Sequence, residues 1–96
     1  MEIEITHETN ADGGRYRLFV DGAEAGELDY EVNADGARDF THTGVREEHE
    51  GQGLAAKLAA KALADARDEG TPVRATCPYV KRYLERHPEE RDLLAP

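Results

Sequence analysis

The pattern of apolar residues changes within the stretch Val45-Arg-Glu-Glu-His-Glu-Gly-Gln-Gly-Leu-Ala55. Before this stretch, apolar residues alternate with polar ones, which is typical of β-strands with one buried face. After it, they recur every three or four residues, which is typical of an amphipathic helix. Two glycines, Gly51 and Gly53, lie where the period changes. The stretch therefore predicts a turn from a strand into a helix and places the chain in the α/β (α+β) class.

The residues upstream of this turn predict four strands joined by tight connections. Three clusters rich in Asn, Asp and Gly separate the alternating segments, and these residues tolerate the left-handed backbone of hairpin turns. The clusters are Asn10–Gly14, Asp21-Gly22 and Asn33–Gly36. Such short connections predict a four-strand antiparallel meander. In the fourth strand, simple alternation places His42 on the same face as Phe40.

The residues downstream predict a helix, a strand and a second helix. The apolar stripe from Leu54 to Arg67 predicts a long helix that ends at Gly70 in a left-handed cap. Val73 to Cys77 predicts a short fifth strand, and Pro78 suits the first turn of a short C-terminal helix. A strand–helix–strand crossover is right-handed, so the fifth strand is expected to run parallel to the fourth. We expect one domain, residues 1–96, with its ligand site beyond the carboxyl ends of these two strands.

Composition narrows the classes of partner. The chain has 96 residues, 12 Lys and Arg, 21 Asp and Glu, and a net charge of −9. This balance argues against binding to nucleic acid or to an anionic membrane, both of which need clustered cations. The N-terminus resembles no secretory signal, so a cytoplasmic location is expected. The acidity itself has two interpretations, adaptation to a high-salt cytoplasm or an ordinary acidic surface, and both stay open.

The glycine pair predicts an anion-binding turn. Glycine lets the backbone bend sharply and lets a ligand approach the N–H groups. The first turn of a helix leaves N–H groups unpaired and favours negative charge, so a phosphate or pyrophosphate is the natural occupant. Arg46 and Lys57 are the nearest cations in the sequence. A turn with no ligand is the alternative interpretation.

Two further residues carry candidate chemistry. Cys77, the only cysteine, precedes Pro78 at the start of the last helix, where a helix N-terminus promotes the thiolate. The alternative is a buried apolar side chain, a common fate of a lone cysteine. His42 is a candidate general base on the strand that leads to the glycine turn, or else a structural histidine of the sheet. The four histidines lack the spacing of metal ligands, so no metal is expected.

The order of these elements resembles the GCN5-related N-acetyltransferase family, whose cofactor loop reads Arg/Gln-x-x-Gly-x-Gly/Ala. Gly53 and Ala55 match the last two defined positions, whereas Glu50 stands where the family has Arg or Gln. The chain is most similar to a reduced branch of small stand-alone members with a truncated fold. The matching residues are His42-Thr43, Gly51-Gln52-Gly53-Leu54-Ala55, Cys77-Pro78-Tyr79-Val80, Tyr83 and Arg86-His87-Pro88.

The resemblance implies a protein that binds acetyl-coenzyme A and transfers acetyl to an amine. It implies a cofactor site made of Val45, Arg46, Gly51, Gln52, Gly53, Leu54, Ala55, Pro78 and Tyr79. The catalytic candidates are Cys77, His42 and Tyr83, with Tyr83 similar to the tyrosine that protonates the departing thiolate in many full-length members. Direct attack by the amine and an acyl intermediate on Cys77 both stay open.

The alternative to an enzyme is a coenzyme A or acyl-coenzyme A binding module without turnover. The acceptor is not specified by the sequence. The acidic surface makes a polyamine or a basic peptide a candidate acceptor. A second copy of the chain is a candidate partner, because so small a protein leaves part of its sheet uncovered.

Overall fold

The computed structural model describes residues 1–96 and contains five strands and two α-helices. The strands are β1 (Ile3–Asn10), β2 (Gly13–Val20), β3 (Ala23–Val32), β4 (Arg38–Val45) and β5 (Val73–Ala75). The helices are α1 (Leu54–Glu69) and α2 (Pro78–Arg86), and 3₁₀ turns span Glu47–His49 and Pro88–Leu93. The predicted class and order of elements are confirmed. Gly70 adopts the predicted left-handed cap, with φ 67° and ψ 29°.

The five strands form one sheet in the order β1-β2-β3-β4-β5, antiparallel except for the β4–β5 pair. The parallel pairing joins only Arg38–Phe40 to Val73–Ala75. β5 is therefore shorter than the predicted Val73–Cys77. The chain leaves the sheet after Ala75 because Cys77 becomes the N-cap of α2. The Cys77 N–H still donates to the Phe40 carbonyl at 2.8 Å.

An irregular register in the β3–β4 pairing corrects the predicted position of His42. Tyr30 lies opposite Phe40, but Asp29 lies opposite His42, so Thr41 is an extra residue in β4. Such a bulge reverses the alternation that follows it. Phe40 is buried and His42 is exposed on the other face of the sheet. The expectation that these two side chains share a face is wrong.

Both α-helices pack on the same face of the sheet and form the core with it. The buried face of α1 consists of Leu54, Leu58, Ala59, Ala62, Leu63 and Ala66, which matches the predicted stripe closely. These side chains belong to one cluster with the buried residues of β2, β3 and β4. No helix combines the length and apolarity that crossing a bilayer requires.

A polar cluster closes one end of this core between β1, β2, β3 and α1. The ring of His7 stacks on Tyr16 with centroids 4.0 Å apart, and its Nε2 lies 2.7 Å from the Tyr30 hydroxyl. The Tyr16 hydroxyl donates to Asp65 at 2.9 Å. Burial lowers the pKa of His7, and the charge of Arg38 lowers it further, which outweighs the opposite effect of Asp65.

This cluster predicts a pH dependence of stability. A histidine whose pKa is lower in the folded state takes up its proton more readily when unfolded. The free energy of unfolding is therefore expected to fall as the pH drops from about 7 to about 5.5, on either side of the ordinary histidine value. In His7→Gln, denaturant titrations at the two pH values should show a smaller decrease in the free energy of unfolding than in the parent protein. Equal losses would contradict the assignment.

Candidate functional site

A fork opens between β4 and β5 at the carboxyl ends of these strands. Their pairing ends at Phe40 and Ala75, whereas β4 continues to Val45. No strand pairs with this side of β4 beyond the fork, and α2 begins at Pro78 on the opposite side. The fork thus leaves an unpaired strand edge next to a helix N-terminus, which is a suitable place for an extended ligand to bind.

The glycine turn lies at the end of this fork and leaves the N-terminus of α1 uncapped. Gly51 and Gly53 have positive φ angles of 83° and 74°, and Gly53 is the N-cap in a left-handed conformation. No side chain caps the helix, and its first turn carries no acidic residue. The N–H groups of Leu54, Ala55 and Ala56 therefore have no partner within the protein, so they can bind an anion.

A cleft of about 270 Å³ lies over this turn and unites six of the predicted site residues. The six are Val45, Gly51, Gly53, Leu54, Ala55 and Tyr79. Gln52 and Pro78 are exposed and do not line it. His49 and Glu50 do line it, and His49 Nδ1 is buried without a hydrogen-bond partner. His49 was not predictable as a site residue, because it lies in a polar segment that resembles a solvated loop.

Cys77 lies in the core beside this cleft. Its side chain is 4% exposed, and Sγ lies 3.5 Å from the Thr43 hydroxyl. Thr43 precedes Val45 by two residues on the same face of β4, a separation of about 7 Å along a strand. The thiol therefore lies inside the fork, at its protein-covered base. Cys77 is the N-cap of α2, and its thiol is covered by the protein.

A second cleft, of about 210 Å³, lies between α1 and α2 and shares Ala56 and Tyr79 with the first. Tyr83 lines this second cleft and stacks on His87 with centroids 4.0 Å apart. Burial raises the pKa of the Tyr83 hydroxyl, and the carboxylate of Glu90 adds to the rise. The cleft is also lined by two arginines, Arg82 and Arg86.

These arginines belong to a group of cations that have no acidic partner. Seven of the 12 Lys and Arg side chains form salt bridges with Asp or Glu. The five without such a partner are Lys57, Lys81, Arg82, Arg86 and Arg91. Because the protein is strongly acidic, unpaired cations beside the uncapped helix make this region favourable for anions. This feature could not be predicted from the sequence, which does not show which cations are paired.

Arg46 and His42 lie on the opposite, solvent-facing side of the sheet. Arg46 Nη1 donates to Glu27 at 2.7 Å, and a second contact joins Arg46 to Glu24 at 3.5 Å. His42 Nε2 lies 3.0 Å from the other oxygen of Glu27. Neither Arg46 nor His42 lines the cleft over the glycine turn. The sequence did not single out Glu27, because it is one of three acidic residues, with Asp29 and Glu31, that alternate along β3.

Solved structures with similar folds share this arrangement of elements. A GCN5-like protein from Staphylococcus aureus has a TM-score of 0.73 and 26% identity, over 96% of this chain and 87% of that one. A ribosomal-protein-alanine N-acetyltransferase from Brucella melitensis has a TM-score of 0.63 and 18% identity, over 91% of this chain and 64% of that one. Aminoglycoside N-acetyltransferase AAC(6')-Iy in complex with CoA has a TM-score of 0.60 and 14% identity, over 85% and 60%.

The chain thus spans less than two thirds of the last two proteins, for which the likeness concerns the fold alone. No curated protein sequence matches the chain. The family model described as GCN5-related N-acetyl-transferase matches residues 15–93, which includes the fork, the glycine turn and both helices. The chain therefore belongs to the GCN5-related N-acetyltransferase family.

Proposed function

We propose that this protein binds acetyl-coenzyme A and transfers the acetyl group to an amine. The observation that carries the proposal is the uncapped N-terminus of α1 at the end of the β4–β5 fork. Its free N–H groups suit a pyrophosphate, and a Cβ at Gly53 would have no neighbour within 4 Å, so the backbone is accessible. When bound, the cofactor supplies an acetyl thioester.

The two clefts and the fork provide surfaces for the rest of the cofactor. Arg82 and Arg86 are suited to the 3′-phosphate, because they lack carboxylate partners and lie next to the helix N-terminus. Tyr79 contributes to both clefts and offers an aromatic surface between them. Val45 and the edge of β4 lead from the turn towards Cys77, a path that suits the extended arm of coenzyme A.

We favour direct attack by the amine over an acyl intermediate on Cys77. The Cys77 thiol is covered and contacts the Thr43 hydroxyl, so a nucleophilic role would require the thiol to become accessible. His42 is the proposed proton acceptor, on the solvent face where an amine can approach. Tyr83, the proton donor that the family resemblance implies, lines the cleft proposed for the 3′-phosphate, so we do not assign it to the departing thiolate. The acidic surface supports a cationic acceptor such as a polyamine or a lysine-rich peptide.

A cofactor-binding module without turnover is the second candidate, and Glu50 supports it. This exposed residue lines the cleft and forms no salt bridge, so its carboxylate opposes the approach of a pyrophosphate. Weak binding of the cofactor suits a sensor of its concentration better than an efficient enzyme.

Two matched glycines allow a test of the anion site. In Gly53→Ala, the new methyl group projects into the cleft, and we expect Kd for coenzyme A to rise at least about tenfold by isothermal titration. Gly70→Ala is the control, because Gly70 has the same left-handed conformation and equally open surroundings at the other end of α1. Each change should lower the free energy of unfolding by about 1 kcal/mol. Equal affinities in the two variants would refute the site.

Glu50→Gln tests the same site, but here the affinity for coenzyme A is expected to increase. Removal of the carboxylate should lower Kd for coenzyme A, and the gain should shrink at high salt because screening weakens the repulsion. An unchanged or higher Kd at low salt would show that Glu50 points away from the bound anion.

Release of free thiol distinguishes an enzyme from a binding module. Free thiol released from acetyl-coenzyme A is measured with spermidine or a lysine-rich peptide as acceptor. Turnover with no 42 Da adduct on the protein supports direct transfer, and Cys77→Ala should then lower kcat/KM by no more than about tenfold. An acetylated protein that loses its adduct in Cys77→Ala would establish the acyl intermediate instead. Cofactor binding without thiol release would favour the module.

A further inference from the structure

Glu27 holds two basic groups on the solvent face of the sheet. Its Oε1 accepts a hydrogen bond from Arg46 at 2.7 Å, and its Oε2 lies 3.0 Å from His42 Nε2. The Glu27 side chain is only 13% exposed, whereas that of His42 is 53% exposed. A partly buried carboxylate is thus fixed at both oxygens, and one of its partners is an accessible imidazole.

The absence of a side chain at Gly44 makes room for this pair. Gly44 lies opposite Glu27 in the β3–β4 register. A Cβ at Gly44 would collide with Glu27 Oε2 and come within 3.1 Å of His42 Nε2. The carboxylate and the imidazole therefore meet directly above the glycine backbone, so a side chain at this position would require the Glu27 carboxylate to shift.

The contact determines which nitrogen of His42 carries the proton. The hydrogen bonds from Arg46 and His42 lower the pKa of Glu27, although burial alone would raise it. An ionised carboxylate only accepts hydrogen bonds, so Nε2 of His42 must donate. In the neutral ring, Nδ1 then carries the lone pair. Nδ1 has no hydrogen-bond partner within the protein.

We propose that Glu27 is a positioning residue that holds the His42 ring with Nδ1 unprotonated and directed away from Glu27. In this orientation, Nδ1 can take the proton of an amine at the outer side of the fork. This inference rests on the proposed acetyl transfer. The same arrangement of carboxylate and imidazole fixes the tautomer of histidine bases and metal ligands in other proteins. No bond to Glu27 forms or breaks, and the proton passes from the amine nitrogen to Nδ1.

The other charged groups near His42 identify a control. Asp29 lies directly opposite His42 on β3, but its carboxylate is held by Arg15 through two hydrogen bonds of 2.6 and 2.9 Å. Arg46 reaches Glu27 and Glu24, both on β3. Asp29→Asn therefore removes a carboxylate of the same strand and face that forms no hydrogen bond with the imidazole.

The experiment measures two quantities, the tautomer of His42 and the rate of acetyl transfer. The ¹⁵N spectrum of the imidazole should show the Nε2-protonated form in the parent protein and in Asp29→Asn, and a mixture of tautomers in Glu27→Gln. Glu27→Gln should lower kcat by about 10-fold to 100-fold and leave Kd for coenzyme A unchanged. Glu27→Asp should recover part of the rate, because it restores the charge at a longer distance.

Two outcomes would overturn the inference. One is a Glu27→Gln protein, folded as judged by its circular dichroism, that keeps the Nε2-protonated form. The other is a changed tautomer with an unchanged kcat. If the parent protein binds coenzyme A but transfers no acetyl group, the proposed function fails, and the ¹⁵N spectra still decide whether Glu27 fixes His42.

Discussion

The separation of β5 from β4 after three paired residues determines the rest of the site. Up to Phe40 and Ala75 the two strands share backbone hydrogen bonds, and beyond them β4 continues alone to Val45. The separation occurs because Cys77 turns out of the sheet to cap α2, which begins at Pro78. Without this separation of the two strands, the edge of β4 would be paired and the glycine turn would end on a closed sheet. The fork connects an anion site, a covered thiol and an accessible histidine.

The charge distribution explains why we propose the backbone of the glycine turn as the anion site in so acidic a protein. Most of its cations are neutralised by neighbouring carboxylates, as Arg46 is by Glu27 and Glu24. The N-terminus of α1 supplies partial positive charge without any side chain, and its first turn has no acidic residue to cancel it. Arg82 and Arg86 add the few cations that remain unpaired nearby. A phosphate-bearing ligand therefore has a favourable region here, on a protein that is acidic overall.

The order of elements, the glycine turn and the long helix were predictable from the sequence because their signals are local. Alternation of apolar residues, turn residues and the stripe of α1 depend only on neighbours along the chain. The same holds for Gly70 as the C-terminal cap of α1 and for Cys77 as the N-cap of α2. The family motif is also contiguous, which is why the glycine turn could be predicted from the sequence alone.

Only the tertiary structure decided where the catalytic candidates point. The extra residue Thr41 in β4 reverses the face of His42, and a bulge depends on the register with β3, which a single strand does not encode. The pairing of Arg46 with Glu27, and of His42 with the same carboxylate, brings together residues from two strands. The burial of Cys77 follows from the packing of α2 against β4. Sequence periodicity determined the elements, and pairing across strands determined the chemistry, because contacts between distant residues arise only when the elements pack.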